Sequence, residues 1–162
     1  MGYYNTVFRY GVDRFCKEAK ICGVSGLIIP DMPLDEEPYE HFYQSAKKYD
    51  LYPIAVISPA STPERLKLNA LQAKGFVYCV SRFGVTGSRS KLNPKLQNYL
   101  NTVRKYFKIP LAVGFGISKR EHIQAIEKHA DIAIVGSAII DSIKENKNDF
   151  ENVRKFIVNI CQ

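Results

Sequence analysis

Five short apolar runs, rich in β-branched and aromatic residues, recur along this 162-residue chain and constrain its fold more than any other feature. They are GLIIP at 26–30, YPIAVIS at 52–58, GFVYCVS at 75–81, PLAVGFG at 110–116 and DIAIVGS at 131–137. Each run is continuously apolar instead of alternating with polar residues, which is typical of parallel strands buried on both faces. We therefore predict an α/β protein.

Helix signals fill the intervals between these runs. VDRFCKEAKIC at 12–22 is amphipathic, and Gly23 suits the position just past a helix end. Thr62 and Pro63 have the pattern of an N-cap and first helical residue. Ser118 and Glu121 have the spacing of a capping box. Two further stripes are Leu96, Tyr99, Leu100, Val103 and Phe107, then Phe150, Val153, Phe156, Ile157 and Ile160.

Alternating strands and helices are compatible with an open doubly wound sheet or with part of a (β/α)8 TIM barrel. The opening MGYYN is typical of the tail of a strand that began earlier. One tail and five strands cannot close a barrel of eight, which takes about 250 residues. For the barrel we expect residues 1–162 to be a single domain, an incomplete barrel with the last five βα units and the tail of the preceding strand.

Charge and cysteine patterns limit the classes of partner. Net charge is +7, but lysine and arginine are spread over every helix without an aromatic–basic motif, so we expect no nucleic-acid partner. No apolar run reaches the roughly 18 residues of a membrane helix, so we expect no membrane partner. The four cysteines have no metal-ligand spacing, which predicts no metal site and a reduced, cytoplasmic protein. Cys16 and Cys79 are expected to be buried as small hydrophobes.

The last two apolar runs both end in glycine, at Gly116 and Gly136. Ser137 then opens a short helix, and unpaired N–H groups at a helix N-terminus bind phosphate when glycine lets it approach. Each glycine alone could merely permit a turn. Together with the polar segment SRFGVTGSRS, which we interpret as a lid, they favour a phosphate site.

Acid–base chemistry needs titratable side chains at the carboxyl ends of the strands. Only Asp31 qualifies by position, because Asp131 stands before its strand, where a structural role is expected. The chain therefore has a binding half without a catalytic half.

The linked motifs GLIIPDMP, ISPASTPERL, GFVYCVSRFGVTGSRS, LAVGFGIS and ADIAIVGSAI resemble the tryptophan synthase alpha chain family. The resemblance implies a (β/α)8 barrel that cleaves indole-3-glycerol phosphate to indole and glyceraldehyde 3-phosphate. It implies a heterotetramer with a beta chain that carries pyridoxal phosphate, so no cofactor is expected here. Phosphate-binding positions carried over are Gly87, Gly116, Gly136 and Ser137. Substrate-pocket and lid positions are Tyr3, Ile28, Val56, Tyr78, Thr86 and Phe115, and the partner-facing loop holds Asp31 and Pro33.

The family's catalytic glutamate and aspartate match no position here, since both belong to a segment before Met1. We therefore expect no catalytic residue in this truncated chain and no activity from it alone. One alternative is a noncatalytic alpha chain that binds a phosphate ligand or a beta chain. Another is a different phosphate-binding barrel, such as a sugar-phosphate epimerase or thiamine phosphate synthase. Unpaired strand edges also predict marginal stability or self-association.

Overall fold

A computed structural model describes residues 1–80, 95–114, 116–145 and 150–161 of the chain. It divides into two compact units. The first unit is Met1–Ile57, Ser61–Tyr78 and Tyr106–Ile109, and the second is Ser58–Ala60, Cys79–Lys105 and Pro110–Gln162. The organisation of residues 1–162 as a single domain stays a prediction.

The first unit contains five α-helices, three complete strands and the first half of a fourth strand within its described residues. The helices are α1 (Tyr4–Tyr10), α2 (Val12–Ile21), α3 (Glu37–Glu40), α4 (Phe42–Lys48) and α5 (Pro63–Gln72), with a 3₁₀ turn at Leu34–Glu36. The strands are β1 (Gly26–Leu27), β2 (Tyr52–Pro53), β3 (Ala55–Ile57) and the start of β4 (Val77–Val80). β1 pairs in parallel with β2, and β3 neighbours β4.

A cluster of buried side chains from helices α1, α2 and α4 and from the segments around β1 and β2 forms the core of this unit. Its buried members are Val7, Cys16, Leu27, Ile29, Met32, Phe42, Ala46 and Leu51. Gly26 is required where β1 meets β2, because a Cβ there would lie 2.8 Å from the carbonyl oxygen of Tyr52. Glycine at the start of GLIIP therefore sets how closely the two strands approach.

The second unit contains the end of β4, α6 (Leu96–Tyr106) as far as Lys105, β5 (Leu111–Gly114), α7 (Arg120–Ile126), β6 (Ile132–Ala133), α8 (Ser137–Glu145) and α9 (Phe150–Cys161). The sheet order continues from β4 to β5 to β6, and β5 pairs in parallel with β6, Ala112 opposite Ile132 and Val113 opposite Ala133. All four residues of β5 are buried. Burial along a whole strand agrees with its continuously apolar sequence.

Several local predictions are confirmed. Gly23 lies just past α2 with a φ of 82°, which favours glycine. Thr62 is the N-cap of α5, its side chain accepts a hydrogen bond from the Arg65 N–H, and Pro63 is the first helical residue. Cys16 and Cys79 are both fully buried.

Two other local predictions differ from the structure. Residues 1–3 form no assigned strand, because Tyr4 already begins a helix, although Gly2 donates to the Ile28 carbonyl at 3.0 Å. Ser118 is not the N-cap of α7. Lys119 holds that position without a side-chain cap, and the N–H of Ser118 instead donates to His122 Nδ1 at 3.2 Å.

The α9 stripe is only partly right. Val153 and Ile160 are buried, whereas Phe150 is 73% exposed and Ile157 is 40% exposed. The stripe in α6 is confirmed at Leu96, Leu100 and Val103, all buried. No described helix is long and apolar enough to cross a membrane.

Candidate functional site

The start of α8 has the local form expected of an anion-binding turn. Ser137 is its first residue, and the carbonyl of Gly136 accepts hydrogen bonds from the N–H groups of Ile139 at 2.9 Å and Ile140 at 3.2 Å. Both Gly136 and Ser137 are exposed, and a Cβ built on Gly136 would meet nothing within 4 Å. Since the first N–H groups of a helix lack partners within it, this turn offers donors beside open space.

Gly116 lies at the same edge of the sheet as Gly136. β5 and β6 are parallel neighbours, and the N–H of Ile134 donates to the carbonyl of Val113 at 2.8 Å as the two strands end. Gly116 follows β5 with a φ of 82°, a conformation that side chains with a Cβ rarely adopt. The structure therefore brings together two of the predicted phosphate-binding glycines and Ser137. Gly87, Thr86 and Phe115 lie outside the described residues.

Four predicted pocket residues belong to the first unit. Tyr3 is 71% exposed just before α1, and Gly2 links it to Ile28 through the backbone hydrogen bond at 3.0 Å. Ile28 and Val56 are half-buried, at or just beyond the β1 and β3 strands. Tyr78 in β4 is buried, which raises the pKa of its phenol. The chain thus joins Gly2, the residue before Tyr3, to Ile28, while Val56 and Tyr78 lie on the neighbouring strands β3 and β4.

Val56 and Pro33 line a cavity of about 100 Å³ in the first unit. An ion pair between Arg65 of α5 and Asp35 lies in its wall. Both side chains of that pair are more than half exposed, so the pair contributes little to stability. Pro33, predicted to face the partner, and Val56, predicted to line the substrate pocket, therefore line the same cavity.

Asp31, the one carboxylate predicted at a strand end, is bound to the backbone. Its Oδ1 accepts a hydrogen bond from the N–H of Tyr4, at the first residue of α1, with a distance of 2.8 Å. Sequence reasoning missed this contact, because the two residues are 27 positions apart and no local spacing joins them. Asp31 is therefore occupied as a helix-capping acceptor.

Two nearby glutamates are also engaged. Glu37 accepts from the N–H groups of Tyr43 and Gln44, both at 2.8 Å, where α4 begins. Glu40 accepts from the hydroxyl of Tyr4 at 2.5 Å, and burial together with this carboxylate raises the pKa of Tyr4. A carboxylate ahead of a helix could have suggested the Glu37 contact, since acidic groups favour helix N-termini.

Asp131 has the structural role expected at the start of β6. Its carboxylate accepts from the N–H of Leu111 at 2.7 Å and pairs with Arg104 of α6. Within the described residues, no group of three histidine, cysteine, aspartate or glutamate side chains could hold a metal ion.

Parallel strands alternating with helices, with glycine turns at the ends of the last two strands, define an α/β protein whose candidate ligand site lies at the carboxyl ends of its strands. The sequence model of the family described as "Tryptophan synthase alpha chain" matches residues 1–162. The chain belongs to the tryptophan synthase alpha chain family.

Individual relatives agree with this assignment. The tryptophan synthase alpha chain of Desulfotalea psychrophila is 47% identical over 146 residues, covering 90% of this chain and 57% of that protein. The alpha chain of Methanocaldococcus jannaschii is 43% identical over 147 residues, covering 91% of this chain and 52% of the other. The chain thus spans a little over half the length of these relatives.

Solved structures show the same fold. The tryptophan synthase a2b2 complex of Pyrococcus furiosus contains a chain that superposes with a TM-score of 0.86 at 32% identity, covering 98% of this chain and 64% of that one. Tryptophan synthase of Mycobacterium tuberculosis gives a TM-score of 0.83 at 34% identity, covering 98% and 58%. These likenesses favour the barrel over the open doubly wound sheet and set aside the epimerase and thiamine phosphate synthase alternatives.

Proposed function

We propose that this chain supplies the phosphate- and indole-binding part of a tryptophan synthase alpha subunit. That subunit is a lyase of tryptophan biosynthesis that cleaves indole-3-glycerol phosphate to indole and glyceraldehyde 3-phosphate. One observation carries the proposal: Gly136 lies directly before Ser137 at the exposed start of α8, at the same sheet edge as Gly116. A phosphate monoester suits these backbone donors.

In the proposed reaction a proton is added at C3 of the indole ring and a proton is removed from the adjacent glycerol hydroxyl. The carbon–carbon bond between the ring and the glycerol side chain then breaks without a cofactor. The acids of the partner-facing loop and α3 already accept hydrogen bonds from Tyr4, Tyr43 and Gln44. Because the family's catalytic glutamate and aspartate also match no position of this chain, we place the general acid and base in the part of the relatives that it does not span.

The proposed macromolecular partner is a tryptophan synthase beta chain, in a heterotetramer, with pyridoxal phosphate held by that partner. The loop of Asp31 and Pro33 is the proposed contact. Pro33 is exposed in this loop, and the hydrogen bond from the Tyr4 N–H to the Asp31 carboxylate ties the loop to α1. A cytoplasmic location belongs to the same proposal, and the four cysteines are free thiols in agreement with it.

A noncatalytic role is the second candidate. It is favoured by the engagement of Asp31, Glu37 and Glu40 in structural hydrogen bonds. On this alternative the chain binds a phosphate ligand or a beta chain and performs no cleavage.

Phosphate binding is the first experiment. Inorganic phosphate is titrated into the ¹⁵N-labelled chain, and we expect the largest amide shifts at residues 136–139. Gly136→Ala adds a methyl group that meets nothing in the protein but intrudes on a ligand at the turn, so we expect weaker binding with unchanged stability. Gly2→Ala is the matched control, because its Cβ would have its nearest neighbour 3.9 Å away and lies in the first unit. Equal phosphate affinity in wild type and Gly136→Ala would count against the site.

Indole release separates the two candidates. The chain alone is expected to release no indole from indole-3-glycerol phosphate. A fusion that adds the remaining segment of the Desulfotalea psychrophila relative should restore release if the chain is the binding part of a lyase. A folded fusion that binds phosphate but releases no indole would favour the noncatalytic role.

A further inference from the structure

We infer that Asp31 is a positioning residue that fixes the backbone turn carrying Tyr3. The inference rests on the proposed function, in which Tyr3 lines the indole pocket. Its basis is the placement of Asp31, which follows β1 in the chain yet meets the first N–H of α1.

The N-terminus of α1 has no cap of its own. Tyr3 occupies the N-cap position with extended dihedral angles, makes no side-chain cap hydrogen bond, and is followed by no acidic residue in the first turn. The carboxylate of Asp31 supplies the missing acceptor at 2.8 Å from the Tyr4 nitrogen. An anionic acceptor at this end of a helix is favoured by the helix dipole and by the strength of charge-assisted hydrogen bonds.

A second hydrogen bond holds the other side of Tyr3. The N–H of Gly2 donates to the carbonyl of Ile28 at 3.0 Å, three residues before Asp31. Tyr3 therefore lies between two backbone anchors that come from one short segment of the chain. Because the Tyr3 side chain is 71% exposed, we expect these two hydrogen bonds, more than side-chain packing, to fix the position of the Tyr3 backbone.

The ring of Tyr4 reinforces the same turn. Its hydroxyl donates to Glu40, and its ring lies edge-on to that of Phe42 with 6.2 Å between the centroids. We expect these contacts to hold α1 in place when the Asp31 bond is lost. Loss of Asp31 is thus expected to free the Tyr3 turn without unfolding the unit.

The test measures indole and inorganic phosphate binding to the 162-residue chain by amide shift titration, for wild type, Asp31→Ala and Asp31→Asn. Asp50→Asn is the control with the same change of charge, since the Asp50 carboxylate is exposed and accepts from Lys20 at 3.1 Å. We expect Asp31→Ala to weaken indole binding about fivefold, the effect of losing one helix cap. Asparagine retains an acceptor oxygen, so Asp31→Asn should lose less.

Phosphate affinity should be the same in all four proteins, because the phosphate turn belongs to the second unit. Amide exchange at Tyr4 should be faster in Asp31→Ala and, to a smaller extent, in Asp31→Asn than in Asp50→Asn. Indole affinity that is unchanged in Asp31→Ala would overturn the positioning role. Wild-type protein that binds neither probe would overturn the proposed function instead.

If Asp31→Ala fails to fold, Tyr4 exchange in Asp31→Asn decides the matter. A neutral acceptor is weaker than a carboxylate. The Tyr4 amide should therefore still exchange faster in Asp31→Asn than in Asp50→Asn. Equal exchange rates in these two variants would overturn the role of Asp31 at this turn.

Discussion

Asp131 and Leu111 exchange two hydrogen bonds where β5 and β6 begin. The N–H of Asp131 donates to the carbonyl of Leu111 at 2.9 Å, and the N–H of Leu111 donates to the Asp131 carboxylate at 2.7 Å. Arg104 of α6 donates to the same carboxylate. The Arg104 guanidinium and the Leu111 N–H together hold the pKa of Asp131 below its usual value. One side chain thus joins two strands and a helix of the second unit.

Replacing Asp131 tests this junction. Asp131→Ala removes both acceptor functions and should lower the free energy of unfolding by about 1–2 kcal/mol. Asp131→Asn keeps an oxygen for the Leu111 N–H and loses the charge that pairs with Arg104. Because solvent screens that ion pair, we expect the free energy of unfolding to fall by only about 0.5–1 kcal/mol. Urea denaturation at neutral pH measures both. Asp50→Asn is the control. The Asp50 side chain, which pairs with Lys20, is 79% exposed, so this substitution should change stability very little.

The pH dependence of the same variants gives a second readout. The folded-state pKa of Asp131 lies below the unfolded value, so its stabilisation is complete above about pH 4 and is lost as the pH falls through the folded pKa. The stability difference between wild type and Asp131→Asn should therefore shrink as the pH falls below about 4. A difference that stays constant down to strongly acidic pH would show that the carboxylate charge is not its source.

The cap of α5 predicts an effect at Thr62. Its Oγ1 accepts from the Arg65 N–H at 3.4 Å, so Thr62→Ala should destabilise the chain by about 0.5–1 kcal/mol, whereas Thr62→Ser keeps the oxygen. Thr102 is a useful control, since its hydroxyl donates to the Asn98 carbonyl within α6. Thr102→Ala should leave stability unchanged or raise it by a few tenths of a kcal/mol, because alanine is the better helix former. Equal losses in the two alanine variants would contradict the capping role.

The parts of the fold that were predicted correctly depend on local patterns. Apolar runs identified the β1, β4, β5 and β6 strands, and the Thr62–Pro63 pair identified the start of α5. The capping box failed at Ser118 because His122 lies four residues ahead and accepts the same N–H group. Competing local acceptors cannot be ranked without the geometry of the turn.

The errors at the N-terminus come from long-range contacts. MGYYN has the composition of a strand, but Tyr4 begins a helix whose first N–H is accepted by Asp31, 27 residues further on. The position of Asp31 just after an apolar run identifies it as a strand-end carboxylate. Its capping role depends on the distant Tyr4 and cannot be predicted from local sequence. That Gly116 and Gly136 follow neighbouring strands at one sheet edge is predictable from sequence, because parallel strand order alone determines which ends meet.

The two glycines of the candidate phosphate turn should respond differently to alanine. Gly116 has a φ of 82°, so Gly116→Ala is strained and should cost about 1–2 kcal/mol of stability. Gly136 has open space around a Cβ, so Gly136→Ala should unfold at the same urea concentration as wild type. Thermal and urea unfolding of the two variants check this. A large loss of stability in Gly136→Ala would mean that the glycine is needed for folding and would remove it as a clean probe of the ligand site.

The four cysteines should divide into two reactive and two protected thiols. Cys22 and Cys161 are exposed, whereas Cys16 and Cys79 are fully buried, and burial raises the pKa of these two thiols to about 11 and about 12. Because the thiolate is the reacting form, iodoacetamide at about pH 8 should modify only the exposed pair in the folded chain. Intact mass should therefore increase by two adducts in the native state and by four in urea, and Cys22→Ser should reduce each count by one. Rapid labelling of Cys79 in the native chain would show that β4 opens on the timescale of the reaction and that the core around α6 is less stable than its burial indicates.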